Sequence, residues 1–180
     1  MLTKISSFYQ VKLVPNSLLV LDIDETILKY KHDDAYIDRS WWTNKKNHFF
    51  NEYNDHAIAN KKAFYYWICH IYKTYPIHTD KEGLTKLLND ANIMNIDIIF
   101  LTARSHFLKK ITLNHLDYLD IPVNKIYFSG VTKKHDVLSN LLDTEFTHID
   151  HITMIDDHDG NLQGVHENIK KSLDLYQFEA

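Results

Sequence analysis

The chain has 180 residues, is 44% hydrophobic and carries a net charge of −4, with one cysteine and four glycines. That length supports one α/β domain with a small insertion and excludes two full domains, while the acidic balance argues against a general nucleic-acid binder, because phosphate backbones are held by Lys and Arg. A lone cysteine excludes an internal disulfide framework and suits a reducing compartment; no run approaches the ~20 apolar residues of a membrane span. Residues 1–14 lack the long apolar stretch and small-residue cleavage site of a Sec signal, so a cytoplasmic protein is expected.

In chain order, residues 3–14 place Ile5, Phe8, Val11, Leu13 and Val14 at helix-like spacing, with Ser6 or Ser7 as N-cap, and predict a short helix ending at Pro15-Asn16. Residues 18–23 then read as a buried strand, four apolar residues running into Asp22-Ile23-Asp24. Strand side chains alternate with period two, so Asp22 and Asp24 begin on one side. Two converging carboxylates repel and lose water, a cost that a divalent cation relieves, and hard oxygen ligands suit Mg2+. Taken alone, this D-x-D fits an edge strand running into an acidic loop equally well.

From 29 to 78 the chain holds no strand-like apolar run and is dense in aromatics. Ala57, Phe64, Ile68, Ile71 and Tyr75 recur at helical spacing, so most of 47–75 is predicted helical, with its rings largely serving as core. Cys69 falls inside that pattern as a packed small hydrophobe. Thr79-Asp80-Lys81-Glu82 forms a capping box that opens a helix to about residue 91. The β-branched run 96–101 is a strand ending at Thr102. Ser105 caps a following helix, with Leu108, Ile111, Leu116 and Leu119 on one face, and Ile121-Pro122 ends it. A strand at 126–128, a turn at Ser129-Gly130, a helix over 134–142, a strand at 152–155, a helix over 161–171 and a closing strand at 173–178 complete the chain. The alternation implies a Rossmann-like parallel sheet with helices on both faces. In such sheets ligands bind outside the carboxyl ends of the strands, where Asp22, Thr102 and Asp156 all sit.

Asp22-Ile23-Asp24-Glu25-Thr26 resembles the first motif of the haloacid dehalogenase (HAD) superfamily of phosphohydrolases and phosphotransferases. Ile98-Ile99-Phe100-Leu101-Thr102 looks like its second motif. Lys134, or its neighbour Lys133, fits the third, a lysine at a helix start. Ile152-Thr153-Met154-Ile155-Asp156-Asp157 is similar to the fourth, a strand ending in paired acids. The resemblance implies a HAD core over 1–28 and 79–180 and a small helical cap inserted at 29–78. With Trp41-Trp42 after the first motif, the arrangement looks most like a little-characterised bacterial branch related to the D-x-D-E-T acid phosphatases. That branch occurs in intracellular bacteria, and the resemblance leaves non-Sec delivery into a host cell open. Where relatives place glycine after the third-motif lysine, His135 stands here.

The implied activity is a Mg2+-dependent phosphomonoester hydrolase. Phosphate monoesters repel nucleophiles, so charge must be neutralised before attack; Asp22, Asp156, Asp157 and, by resemblance, the Asp24 main-chain carbonyl would hold the ion. Asp22 is then the nucleophile, Asp24 the general acid and base, and Thr102 and Lys134 the holders of the equatorial oxygens. Arg104, two residues past Thr102, reads as a substrate contact or a solvated helix-start arginine. The segment 103–132 leaves no room for a second cap, so the expected partner is a protein-borne or small phosphomonoester, with a lean to phosphotyrosine or another aryl phosphate. A small sugar or nucleotide phosphate, a phosphotransferase and a non-catalytic binding module are the alternatives. His148-Ile149-Asp150-His151 partly matches the H-x-H-x-D-H run of metallo-β-lactamase-like hydrolases, but Phe146 stands where the first histidine belongs. No arginine follows Cys69 at cysteine-phosphatase spacing.

Overall fold

In the computed structural model, which describes residues 2–32 and 35–179, the apolar run after Asn16 becomes the centre of the sheet. Met1, Ala180, and Asp33 and Asp34 within the 29–78 insertion lie outside the described residues. Strand β2 (Ser17–Leu21) is buried at every position, as a strand covered on both faces must be. It lies between β6 (Asp97–Thr102) and β8 (His151–Asp156). With β1 (Leu2–Ile5), β7 (Ile126–Phe128) and β9 (Ser172–Phe178) these strands form a six-stranded sheet in the order β1-β9-β8-β2-β6-β7. Every neighbouring pair is parallel.

Helices cover both faces. Leu19, Leu21 and Phe100 point into one cluster with Leu84, Leu87 and Leu88 of α3 (Lys81–Ile93) and Leu116 of α4 (Lys109–Tyr118). Leu18, Val20 and Met154 point the other way, onto Leu138 and Leu142 of α5 (Lys134–Thr144) and Leu162 and Val165 of α6 (Asp159–Asn168). The chain steps from β2 through β6 to β7, then returns to the far side of β2 for β8 and β9. The resulting crevice lies at the carboxyl end of β2.

The expected N-terminal helix is absent. Residues 2–5 are the edge strand β1, paired with β9 from Leu2↔Leu175 to Ile5↔Phe178, so β9 does not close the sheet. A single turn of 3-10 helix follows at Phe8–Gln10, capped by Ser7. The Ile5–Phe8 spacing suggested a helix face, but each residue is buried separately, Ile5 from the strand and Phe8 by stacking on Phe178 at 4.6 Å. Strand pairing outweighs a helical propensity too short to sustain itself.

The insertion departs from its reading in two respects. It contains strands: β3 (Leu28–His32), β4 (Ala35–Tyr36) and β5 (Pro76–His78) form a small antiparallel sheet. Its helical part is two helices, α1 (Arg39–Tyr53) and α2 (His56–Ile71), packed as a hairpin. Asn54, left-handed at φ 51°, ends the first, and the Asp55 carboxylate caps the second by accepting from Ala57 and Ile58 amides. Leu28 and His78, where the chain leaves and re-enters the core, are register partners. Two helix caps also differ. Asp80, not Thr79, caps α3 through the Gly83 amide, while Thr79 Oγ1 donates to the Thr26 carbonyl; Ser105 makes no side-chain cap bond.

Candidate active site

The site begins where β2 stops pairing regularly. The Asp22 amide still donates to Ile155 O at 2.9 Å, which fixes Asp22 beside the end of β8. The chain then folds back tightly: Ile27 and Leu28 amides both donate to Ile23 O, and Glu25 takes the left-handed φ of 59°. This turn buries Thr26. Its hydroxyl donates to Asp22 Oδ2 at 3.3 Å and accepts from the Asp157 amide at 2.9 Å, clasping the first acidic stretch to the last. The sequence marks Thr26 as the last residue of the first motif; the clasp it forms comes from the structure. Burial and then the Asp157 and Asp38 charges push Glu25 up to about 7.

Three acids converge there. Asp22, Asp156 and Asp157 each present an oxygen, all within 4.8 Å of one another. Lys134, at the first turn of α5 with its side chain 2% exposed, donates to Asp22 Oδ1 at 2.5 Å and Asp156 Oδ2 at 2.7 Å. Of the two candidate lysines it is therefore Lys134 that reaches the acids; Lys133 is the exposed N-cap residue. Asp156 is fully buried and also accepts from the His158 amide and Asn161 Nδ2. Burial drives Asp22 well above the usual carboxylate range and the neighbouring acids add to it, against Lys134. Burial works to lower Lys134, but Asp22 and Asp156 outweigh it and keep the ammonium charged. Asp157 is raised by burial and by Asp156, opposed by Arg39, whose Nη2 donates to it at 3.1 Å. Three clustered carboxylates against one buried ammonium leave negative charge unbalanced. Hard oxygen donors in surplus of charge are a donor set that fits Mg2+.

Asp24 faces a different partner. Arg104 Nε and Nη2 donate to its two oxygens at 2.8 and 2.7 Å, a bidentate fork. Arg104 is not the solvated arginine that its position at a helix start allowed. Its side chain is 1% exposed, lies 5.7 Å from the Trp67 ring of α2, and donates to Tyr30 Oη at 2.6 Å and Thr112 Oγ1 at 2.9 Å. Thr102 is fully buried at the end of β6, and its hydroxyl accepts from the Arg104 amide at 3.1 Å. Thr102 does not itself line the cavity over the acids, whereas Ala103 and Arg104 do.

That cavity, about 310 Å³, has acids and Lys134 on its floor and Ile37, Trp41, Trp42, Phe64 and Trp67 along the insertion side. Rings read from sequence mainly as core thus wall the crevice. His135 packs on Gly164, where an added Cβ would come within 2.6 Å of its Nδ1, and its backbone has no positive φ. His148 and His151 lie around the opposite, amino end of β8, paired with Asp97 and Asp174. Among the described residues no helix is long and apolar enough to cross a membrane.

A family model described as a protein of unknown function, DUF2608, matches residues 2–130. The chain belongs to this family. No curated protein and no solved structure matches it. The DUF2608 match takes in Asp22, Asp24, Thr102, Arg104 and the whole helical hairpin, and ends before Lys134, Asp156 and Asp157.

Within the DUF2608 region, the Arg104 network ends at His115. Tyr30 Oη accepts from Arg104 and shares a hydrogen bond with His115 Nδ1 at 2.7 Å. Burial and Arg104 pull His115 down to about 4. A histidine depressed in the folded state binds its proton in the unfolded chain first, so its contribution to stability is intact above pH ~6.5 and falls as pH drops towards 4. Urea titrations should show a loss of roughly 2 kcal/mol from this residue by pH 5. A His115→Leu variant should have a flatter profile between pH 6.5 and 5; an unchanged slope would show that His115 takes no part in acid sensitivity.

Proposed function

We propose that this chain is a Mg2+-dependent phosphomonoester hydrolase of the HAD type, working through an aspartyl-phosphate on Asp22. The observation that carries the reading is the convergence of Asp22, Asp156 and Asp157 on one buried lysine at the carboxyl ends of β2 and β8. Asp22 Oδ2 is oriented by Thr26, and its carboxylate oxygen attacks phosphorus as the ester P–O bond breaks. By the resemblance Asp24, once freed from the Arg104 fork and protonated, gives a proton to the departing oxygen, then takes one from the water that cleaves the Asp22–phosphate bond and releases inorganic phosphate. Lys134 pairs with the phosphoryl oxygens, and Thr102, to which the resemblance gives the same task, is buried at the end of β6. Mg2+ held by Asp22, Asp156 and Asp157, with the Asp24 carbonyl as the resemblance implies, would neutralise charge on the phosphoryl group.

The aromatic wall favours an aryl ester such as phosphotyrosine, because Trp41, Trp42, Phe64 and Trp67 offer faces to a ring. A second reading has its own support: a polar groove lined by Lys133, His135, Asn161 and Gln163 adjoins the same lysine and suits a sugar or nucleotide phosphate. A cytoplasmic location goes with the lone Cys69, which is unpaired and exposed on α2, not packed as its helical spacing suggests.

The test uses Asp24→Asn, which keeps the main-chain carbonyl but removes the acid. Aryl oxygens leave more readily than alkyl oxygens, so an activated aryl phosphate should still phosphorylate Asp22 while an alkyl phosphate barely reacts. Without a base for water the enzyme should stall, giving a burst of about one equivalent of aryl alcohol before a much slower steady state. Because Arg104 loses its counter-charge, the assay belongs well below the variant's unfolding midpoint. Equal losses on both esters with no burst would reduce Asp24 to a structural acid.

A further inference from the structure

The helical hairpin is more exposed than a packed lid of its size needs to be. Along its fifteen residues α1 buries none, and α2 buries Ala59, Ala63 and Ile71 alone. The inner rings, Trp41, Trp42, Phe64 and Trp67, look into the cavity; the more exposed ones are tyrosines, among them Tyr53, Tyr65 and Tyr66. Charge is unevenly divided. Residues 39–73 hold Arg39, Lys45, Lys46, Lys61, Lys62 and Lys73 against Glu52 and Asp55, a net +4 in a chain of net −4. The hairpin is thus a basic arm on an otherwise acidic protein. Among the described residues none of its five lysines is paired with a carboxylate. Several stand against rings instead: Lys45 Nζ is 4.4 Å from the Tyr66 centroid, Lys62 5.3 Å from Tyr53 and Lys61 6.0 Å from Tyr65. Cations leaning on rings keep their donors outward and lose some of their freedom before any ligand arrives.

We propose that this outer face is a docking surface for an acidic polypeptide segment flanking the phosphorylated residue whose phosphate enters the cavity. The substrate half of the proposal rests on the phosphatase reading; the surface itself does not. A phosphorylated metabolite fits within about 310 Å³ at one edge of the hairpin. It leaves Lys46, Lys61 and Lys62 without a purpose, because α2 is sixteen residues, about 24 Å, long. An extended acidic segment spans that length and meets a complementary potential along it. Nucleic acid fits less well, since single strands bind by stacking bases on free rings and these rings already carry lysines or one another. A bilayer would take an apolar helix face, and here the tryptophans face the cavity.

The test compares a phosphotyrosine peptide with acidic flanks, the same peptide with Ser/Gly flanks, and p-nitrophenyl phosphate, on the wild type and on a variant carrying Lys45→Glu, Lys46→Glu, Lys61→Glu and Lys62→Glu. The acidic peptide should have a KM about tenfold below the neutral one at low salt, and the variant should erase the difference. Turnover of p-nitrophenyl phosphate should change by less than about threefold, since the reversed lysines do not line the cavity. Should the Glu set fail to fold, the four Lys→Gln changes give the same comparison with a smaller expected effect. Fluorescence anisotropy of the unphosphorylated acidic peptide reads the surface without turnover. If p-nitrophenyl phosphate is hydrolysed but the two peptides behave alike, the docking surface is overturned and the phosphatase stands. If no ester is hydrolysed yet the acidic peptide binds the wild type and not the variant, the surface stands and the phosphatase falls. Tighter binding to a single-stranded oligodeoxynucleotide or to phosphatidylserine vesicles than to the acidic peptide would replace the proposed partner.

Discussion

Asp22→Asn should lower turnover of any phosphate ester by about a thousandfold or more, while leaving the fold as stable as the wild type or more so. The amide keeps the shape of the carboxylate, its carbonyl oxygen can still accept from Lys134, and its NH2 can donate to a rotated Thr26 hydroxyl, so little packing is lost. What disappears is one negative charge from a buried group of acids that holds more charge than Lys134 balances. Catalysis and stability should therefore move in opposite directions. Steady-state rates at saturating Mg2+, beside a urea titration of both proteins in EDTA, check both halves. Turnover within about tenfold of wild type would remove Asp22 from the nucleophile's role, and a marked loss of stability would mean the acids are better neutralised than their geometry indicates.

Lys134→Met should produce the largest loss of stability of any single change at the site. The substitution preserves an unbranched stem but leaves Asp22 and Asp156 facing one another without a cation. Removing one partner of a buried ion pair costs about 3–5 kcal/mol, because the remaining charge has no water to turn to. The loss should shrink when Mg2+ is added and when Asp156→Asn is introduced as a second change. Urea midpoints for the single and double variants, with EDTA and with Mg2+, form the cycle that tests it. Additive effects of the two substitutions would show that Lys134 does not serve as the counter-ion. The pH dependence has a defined sign. Asp22 binds its proton at a higher pH in the folded chain than in the unfolded one, so acidification adds stability through this residue and raising the pH through its folded value removes it. That trend opposes the one expected from His115, and the two separate cleanly in a His115→Leu background.

Much of this was visible in the sequence. The four apolar residues before Asp22 announce a central strand because only a strand covered on both faces needs none of its positions polar. Asp22, Thr102 and Asp156 could be placed together because parallel strands bring their carboxyl ends to one edge, and they lie there. The grip of Arg104 on Asp24 could not be read, since it joins residues eighty apart through a side chain whose burial depends on Tyr30 and Trp67 of the insertion. Strand β3 has a local signal: Leu28 and Tyr30 are buried while Lys29 and Lys31 are not, a period-two alternation that long lysine side chains disguise as polar sequence. Edge strand β1 was not legible, because its partner is the last strand of the chain and no local pattern encodes a pairing over that distance.

The seam at Leu28 and His78 bears on how this protein can acquire a new specificity. Because the two crossing points are register partners, an exchanged hairpin would meet the core with its ends already side by side and little closure entropy to overcome. Yet Tyr30 lies beyond that seam, on the side that would be exchanged, and it is Tyr30 that holds Arg104 against Asp24 and His115. A transplanted hairpin that brought another residue to position 30 would arrive with a loosened Arg104–Asp24 pair beneath it. Recombination at this boundary is therefore not free to vary specificity alone: a graft that starts after Lys31 inherits a working floor, and one that starts at Lys29 has to supply its own.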